Sequence, residues 1–510
     1  MKSLFKTVFL IIFFSGITRL LGFVFRIWLS RSIGSEALGL YQVSFSIFTV
    51  LLALISSGLP LVVSRITAKH ISEKNKTAEN QTVSSSLVIS LFISIAVSII
   101  ILIFNKPLSI IFADDRCMPI LLCLLPGLVF SAIYSTIRGN LWGHNNYLGV
   151  CSAELFEQVV RIIICAILLS GFFSLGQGAT SAALSLSIAC IFSAIFVVII
   201  YVKKGGKFVR PRLYKPILKA STPITMVRVA TSLVQPVIAL IIPARLVAAG
   251  YTSSQAMSLF GIATGMTLPL LFIPMTFIGA LSMALIPDLS TAVAQNDQNH
   301  ISSRINASIL FSIFISCLFV PLYIGAGEYI GLFFFDNAQS GLLLSSSAWI
   351  MIPMCLTNIS SSILNAVGLE IKSCKNYIIG AILMLACIWF LPKYIGINAL
   401  VWAMGLCFTT SAILNLKMIK NKVCPDINHG KKFIYMLIFC IPTMSICCFI
   451  SNLLNHVFPL FFNLAISCFV AALFFILLCL IFNVFDIQSV IILFKEKTKN
   501  KIKRNKNKKA

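Results

Sequence analysis

Two arginines, Arg19 and Arg26, sit inside an apolar run from Leu4 to Leu29. With Ser15 and Gly22 they fall at i, i+4, i+7 and i+11, so the four share one helix face while the opposite face is Leu and Phe. At about 1.5 Å of rise per residue, the two guanidinium groups leave that face about 10 Å apart. A third arginine, Arg228, repeats the pattern on a stripe of Ser221, Thr225, Arg228, Ser232 and Gln235. An arginine at the centre of a bilayer costs at least about 2.5 kcal/mol, so each should face a wet cavity or a partner rather than lipid. Guanidinium forks fit phosphate oxygens in a bidentate way, so anion binding is the chemistry these residues could do. The alternative is structural: pairing with backbone carbonyls, or reaching from a helix end to the surface.

A second set lies in one later apolar stretch. Glu157 and Arg161 are i, i+4 and can neutralise each other, and Glu154, one turn earlier, can join them. A third stretch carries Asn358, Ser361, Ser362 and Asn365 on one face. These suit hydrogen bonds between membrane helices or, alternatively, amides lining a cavity for a sugar. No catalytic constellation accompanies them. The five His (His70, His144, His300, His429, His456) fall near loops, without a Ser, Cys or acidic partner at motif spacing. The 16 Cys form no CxxC pair and no cluster with metal-ligand spacing, and no P-loop or GxGxxG is present. Neither an enzyme activity nor a metal or cofactor is expected.

The elements that must position these residues are membrane helices. The chain has 510 residues, 58% hydrophobic and 11% charged, with a mean hydropathy of +0.98. This predicts an all-α polytopic membrane protein. The net charge of +25 does not indicate nucleic acid, because the basic residues sit in loops and in the tail, with no aromatic-interleaved basic domain. Fourteen transmembrane helices are expected, near 4–29, 40–62, 83–104, 117–138, 152–175, 179–202, 221–247, 257–287, 302–325, 341–368, 374–391, 396–417, 433–453 and 457–482. The first reads as a span rather than a signal peptide, being too long and lacking a clear cleavage site. An even count puts both termini on one side. The loops of the other side then hold only Arg31, Lys106, Arg116, Arg245 and Lys393 of the 40 Lys and Arg. The positive-inside rule makes the basic side cytoplasmic.

The segment from Lys203 to Lys219 carries seven basic residues and two prolines, and it divides the chain. The expected organisation is an N-terminal lobe at 1–202, a basic linker at 203–220, a C-terminal lobe at 221–420, two extra helices at 421–494 and a basic tail at 495–510. The matching stripes that open the lobes suggest a parallel repeat of six helices each. Pro269 and Pro274 predict a bend in the eighth span. The tail, with nine Lys and Arg, suits anionic lipids of the inner leaflet.

Several motifs resemble one family in order along the chain. Thr18-Arg-Leu-Leu-Gly-Phe with Arg26, then Arg31-Ser-Ile-Gly-Ser-Glu-Ala-Leu-Gly-Leu-Tyr-Gln42, is similar to the opening of the stage V sporulation protein B family. Gly58-Leu-Pro-Leu-Val-Val-Ser64, Arg138-Gly-x-x-x-Gly143-His, Glu157-Gln-Val-Val-Arg161, Ser221-x-Pro223-x-Thr225-x-x-Arg228 and Ala284-Leu-Ile-Pro-Asp-Leu-Ser290 continue the resemblance. Glu154 departs from the family pattern. The resemblance implies the multidrug/oligosaccharidyl-lipid/polysaccharide (MOP) transporter superfamily, with MurJ-type lipid II flippases as relatives. It implies two six-helix lobes in a V-shaped MATE/MurJ-like arrangement plus two C-terminal helices.

It further implies a flippase that moves an undecaprenyl-diphosphate-linked peptidoglycan or polysaccharide precursor across the cytoplasmic membrane, for spore cortex or cell wall. Arg19, Arg26 and Arg228 would then hold the diphosphate, and Glu154, Glu157, Arg161, Asn358 and Asn365 would line the cavity. The partners would be a lipid II-like saccharide lipid, anionic lipids at the tail and cell-wall synthesis proteins. The location would be a bacterial plasma membrane, with forespore-engulfing membranes included. Two other readings stay open: a cation-coupled multidrug exporter, disfavoured by the lack of Asp and Glu in the first two spans, and a non-transporting scaffold, which needs no arginines inside its spans.

Overall fold

The computed structural model describes residues 2–171, 178–423, 430–455 and 457–484. Among them every regular element is a helix. The basic tail, His429 and His456 lie outside the described residues. The chain forms two compact units, Met1–Gly265 and Met266–Ala510. Twelve segments of the described residues are long and apolar enough to cross a membrane, so the chain is the helical membrane protein that its hydropathy predicts.

The first unit contains α1 (Lys2–Ser56), α2 (Leu59–Ser72), α3 (Lys76–Ile103), α4 (Cys117–Gly143), α5 (Tyr147–Gly171), α6 (Gly178–Lys203), α7 (Tyr214–Ser232), α8 (Val234–Ala248) and α9 (Ser253–Gly261). Helices α7 to α9 follow the basic segment and pack with the unit that precedes it. The 55 residues of α1 would run about 80 Å if straight, well over twice the hydrocarbon thickness. It turns at Gly34, whose φ of 76° and ψ of 173° are open to glycine and strained for other residues. Local signals start the other helices. The Asn75 side chain accepts the Ala78 N–H at α3, and Thr252 and Gln255 form a reciprocal capping box at α9.

Helix α4 lies at the middle of this unit, against α1, α2, α3 and α6. Its Tyr134, Ile137 and Leu141 meet Val83 of α3 and Val197 and Tyr201 of α6 in a buried cluster. Small polar residues bring the helices close. Ser90 and Thr136 hydroxyls meet at 3.2 Å, and Ser187 Oγ donates to the Cys123 carbonyl at 2.6 Å. The second half of α1 crosses α9 through Gly39 and Gly261. A side-chain carbon on Gly39 would land on the Met257 carbonyl oxygen, and one on Gly261 on the Ser35 carbonyl oxygen. Ser35 and Ser258 hydroxyls lie 2.7 Å apart beside this crossing.

The bend expected at Pro269 and Pro274 is present. After α9 come a six-residue π turn (Ile262–Thr267), a short helical piece (Leu268–Leu271) and α10 (Ile273–Ala294). Each proline sits in the first turn of its helix, where its missing N–H leaves no bond unmade.

The second unit continues with α11 (Gln298–Phe335), α12 (Ala338–Ser347), α13 (Met351–Ala366), α14 (Glu370–Phe390), α15 (Asn398–Lys422), α16 (Gly430–Leu454) and α17 (Leu460–Ile481). The 38-residue α11 is its axis. Ile305, Ile309 and Cys317 of α11 pack with Ile359 and Ile363 of α13 and Phe475 of α17. Helices α16 and α17 pack on α11 and on each other. Their other faces stay apolar and exposed, as at Ile441, Phe449, Phe469 and Ile481, a surface suited to lipid tails.

Candidate functional site

In the first unit, α1, α4 and α5 place polar side chains among apolar ones. Arg161 of α5 turns toward α1: its Nη2 donates to Tyr41 Oη at 2.7 Å, and its Cζ lies 4.8 Å from the centre of the Phe25 ring. Tyr41 is 3% exposed and interacts electrostatically with both Arg161 and Arg26. One turn before Arg26, Gly22 leaves room for the Gln158 amide nitrogen, which lies 3.9 Å from where a Gly22 side chain would begin. The small-residue and arginine stripe of α1 thus meets Gln158 and Arg161 of α5.

The expected internal pair on α5 is not formed as an ion pair. No Glu157–Arg161 contact within 4.0 Å occurs among the described residues, because the Arg161 side chain is committed to Tyr41 and Phe25. Glu154 reaches a different partner, with its Oε1 3.7 Å from Arg138 Nη1 on α4. Arg138 lies over the rings of Trp142, at 4.9 Å, and Tyr134, at 5.5 Å. Both rings are one helical turn away, so this stack could have been found from the i−4, i, i+4 spacing. Sequence reasoning missed Arg138 because it falls at the edge of a predicted span, and missed Tyr41 because a tyrosine in an apolar run reads as core. Three buried donors, Arg138 Nε, Arg161 Nε and Gln158 Nε2, have no hydrogen-bond acceptor. Guanidinium and amide N–H groups in this state can hold anionic or carbonyl oxygens. Arg19 and Arg228 are exposed, half-buried Arg26 lies nearer this cluster, and all three belong to the first unit.

The second unit holds a neutral network instead. Asn358 Oδ1 accepts from Ser282 Oγ at 3.5 Å, and Asn365 is exposed. The fully buried member is Asn415 of α15, which sequence reasoning did not single out. Its Nδ2 donates to Ser360 at 3.2 Å and Ser361 at 3.1 Å, and its Oδ1 accepts from Asn376 at 2.9 Å.

Three further polar clusters lie at helix ends. In the first unit Glu79 Oε1 lies 2.7 Å from His144 Nε2 and accepts from Asn140 Nδ2 at 3.1 Å. In the second, Asp288 Oδ2 lies 3.3 Å from His300 Nε2 and 2.8 Å from Arg304 Nε. At the start of α4, Arg116 bridges Glu36, at 2.6 Å, and Asp114, at 2.8 Å, while Ser253 Oγ donates to Asp114 at 2.7 Å. Burial pushes the Asp114 carboxyl up, but hydrogen bonds from Arg116 and Ser253 outweigh it and hold the group below its ordinary value. Its hydrogen bonds to Asp114, and then to Glu36, hold Arg116 more firmly protonated than usual. No group of three His, Cys, Asp or Glu among the described residues could hold a metal ion.

Comparison with known proteins places this architecture. A family model described as polysaccharide biosynthesis protein matches residues 4–293. Stage V sporulation protein B of Bacillus subtilis (strain 168) is 24% identical over 482 residues, covering 89% of this chain and 90% of that protein. Lipid II flippase MurJ of the same organism is 21% identical over 465 residues, covering 82% of this chain and 83% of that protein. Among solved structures, a lipid II flippase MurJ in an inward closed conformation matches with a TM-score of 0.72 at 16% identity, over 93% of this chain and 98% of that one. A MATE family multidrug resistance transporter of the MOP superfamily, inward-facing, matches with a TM-score of 0.67 at 16% identity, over 80% of this chain and 94% of that one. The structural matches show a shared fold, and with the family match across more than half of its length, the chain belongs to the polysaccharide biosynthesis protein family.

Proposed function

We propose that this chain is a flippase for an undecaprenyl-diphosphate-linked saccharide, a lipid II-like peptidoglycan or polysaccharide precursor, and that it serves spore cortex or cell-wall synthesis. The observation that carries the reading is the set of buried guanidinium and amide donors on α4 and α5, beside the arginine stripe of α1, which lack acceptors. A diphosphate supplies oxygens in that number and charge. Arg19, Arg26 and Arg228 would take the headgroup, with Arg161 and Gln158 behind them. Glu154, Glu157, Asn358 and Asn365 would line the path of the sugar. The relatives named as a lipid II flippase and a sporulation protein support the substrate class and the setting.

The reading includes fourteen crossings. The 60-residue segment Phe13–Ser72 supplies two by turning at Gly34, and α5 supplies one despite Glu154, Glu157 and Arg161. Two six-helix lobes would rock around the site by alternating access, with the basic loops and both termini cytoplasmic. The test is reconstitution in vesicles with labelled lipid II and with a competing lipid-linked glycan, following leaflet accessibility of each. Movement of a lipid-linked saccharide that is lost in Arg26→Ala is expected. Movement of organic cations with no effect on lipid-linked saccharides would overturn the proposal.

A further inference from the structure

The basic segment between α6 and α7 is a pinned strap. Three side chains of α3, all nearly or fully buried, take its backbone N–H groups in order. Asn80 Oδ1 accepts from Lys207 at 3.3 Å, Ser84 Oγ from Val209 at 3.0 Å, and Ser85 Oγ from Arg212 at 3.1 Å and Leu213 at 3.0 Å. Tyr201 Oη donates to Asn80 at 3.0 Å and stacks at a tilt on Phe208, 5.4 Å between ring centres. A run of positive charge is ordinarily a solvated, wandering loop. Here the backbone is held against α3, which turns the side chains outward.

What is turned outward is of one kind. Lys203, Lys204, Lys207, Arg210, Arg212, Lys215 and Lys219 are all exposed, the segment contains no Asp or Glu, and none of the seven forms an ion pair among the described residues. Between them Phe208 is 53% exposed, Tyr214 38% and Leu218 41%. The strap joins the ends of two membrane-crossing segments, Gly178–Lys203 and Tyr214–Ala248, so it lies at the level of the lipid headgroups. Basic residues interleaved with aromatic and apolar ones at that level match an anionic interface in charge and in polarity. We propose that the strap is a docking surface for anionic phospholipid headgroups, with Lys and Arg on the phosphates and Phe208, Tyr214 and Leu218 in the interfacial layer. This surface is distinct in sequence from the tail and does not depend on which lipid-linked substrate is moved.

The test places a reporter on the strap of the full-length chain. Phe208→Trp is reconstituted in phosphatidylcholine nanodiscs with about 30% phosphatidylglycerol, brominated on one lipid or the other, and its emission is read over the five native Trp by subtracting the parent. Tyr214→Trp serves as a second reporter if Phe208→Trp does not fold. Brominated phosphatidylglycerol should quench the added tryptophan at least about twofold more than brominated phosphatidylcholine at equal mole fraction, and high salt should remove the preference. Changing Lys203, Lys204, Lys207, Arg210 and Arg212 to Gln should abolish the preference, whereas neutralising the tail should leave it. Equal quenching by the two lipids overturns the proposal. So does a reporter that neither lipid quenches, or a preference that survives the five Gln substitutions.

Discussion

Each unit buries a polar network, and the two networks are satisfied to different degrees. In the second, Asn415 uses both amide hydrogens and its oxygen, each on a neutral partner from α13 or α14. That network is saturated and carries no charge, so it fastens helices together and has little left to offer a ligand. In the first, Arg161 and Arg138 bring formal charge among apolar helices and meet it only partly, through Tyr41, aromatic faces and a 3.7 Å approach to Glu154. Their buried Nε donors lack acceptors. Saturation marks a structural junction, and partial saturation marks a place with capacity for a ligand.

The sharpest way to break this contrast is Arg161. Replacement by Leu leaves Tyr41 without its donor and removes a positive charge near Glu157, so a stability loss of about 3 kcal/mol and loss of flipping are expected. Arg161→Lys should keep the folded protein, seen by thermal unfolding of the purified chain, yet still impair transport. Full transport by the Lys variant would make the charge merely positional. Next in size, Asn415→Leu leaves the buried Asn376 amide without its acceptor and should cost about 2 kcal/mol while leaving transport per folded molecule unchanged. Transport lost at constant folded fraction would erase the distinction between the units.

A smaller effect is expected at the exposed arginines. On the proposal that one headgroup serves both, Arg19→Lys and Arg228→Lys should each weaken lipid-linked substrate binding without harming insertion, and the double variant should fall short of the summed losses. Wild-type affinity in folded Arg19→Ala would sink that clamp. The smallest is acid sensitivity at Asp114. Its carboxyl is held below the ordinary value, so the stability that it adds is present above the ordinary carboxylate range and fades as pH falls through the depressed value. Arg116 is half-exposed, which limits the contribution to about 1 kcal/mol or less. Melting curves of the parent and Asp114→Asn should converge on acidification, and a constant gap across pH would show that ionisation is irrelevant.

Much of this contrast was legible in residue types. Arg26, Glu154, Glu157 and Arg161 stand out because charge in an apolar run is costly, and the Asn358 face marked the right helix of the second unit. The partners were not legible. Arg161 choosing Tyr41 over Glu157 depends on where α1 passes α5, and Asn415 is one amide in an apolar stretch until α13 and α14 flank it. The all-helical membrane character followed from hydropathy, and the bend from Pro269 and Pro274. The division at Gly265 did not follow, because it depends on which faces of α7 to α9 find partners, and hydropathy is blind to that. The resemblance to the stage V sporulation protein B family set the right family, whereas the roles proposed for its arginines rest on physical chemistry.

The crossing of Gly39 and Gly261 limits how this protein can change over generations. Most tight contacts can absorb a larger residue on one side if the other side later shrinks. Here each added carbon would strike a main-chain carbonyl, and glycine is already the smallest residue on both helices. No second-site exchange of side chains can restore the fit. A descendant that loses either glycine must therefore separate α1 from α9, and with them the Ser35–Ser258 contact, or be lost itself.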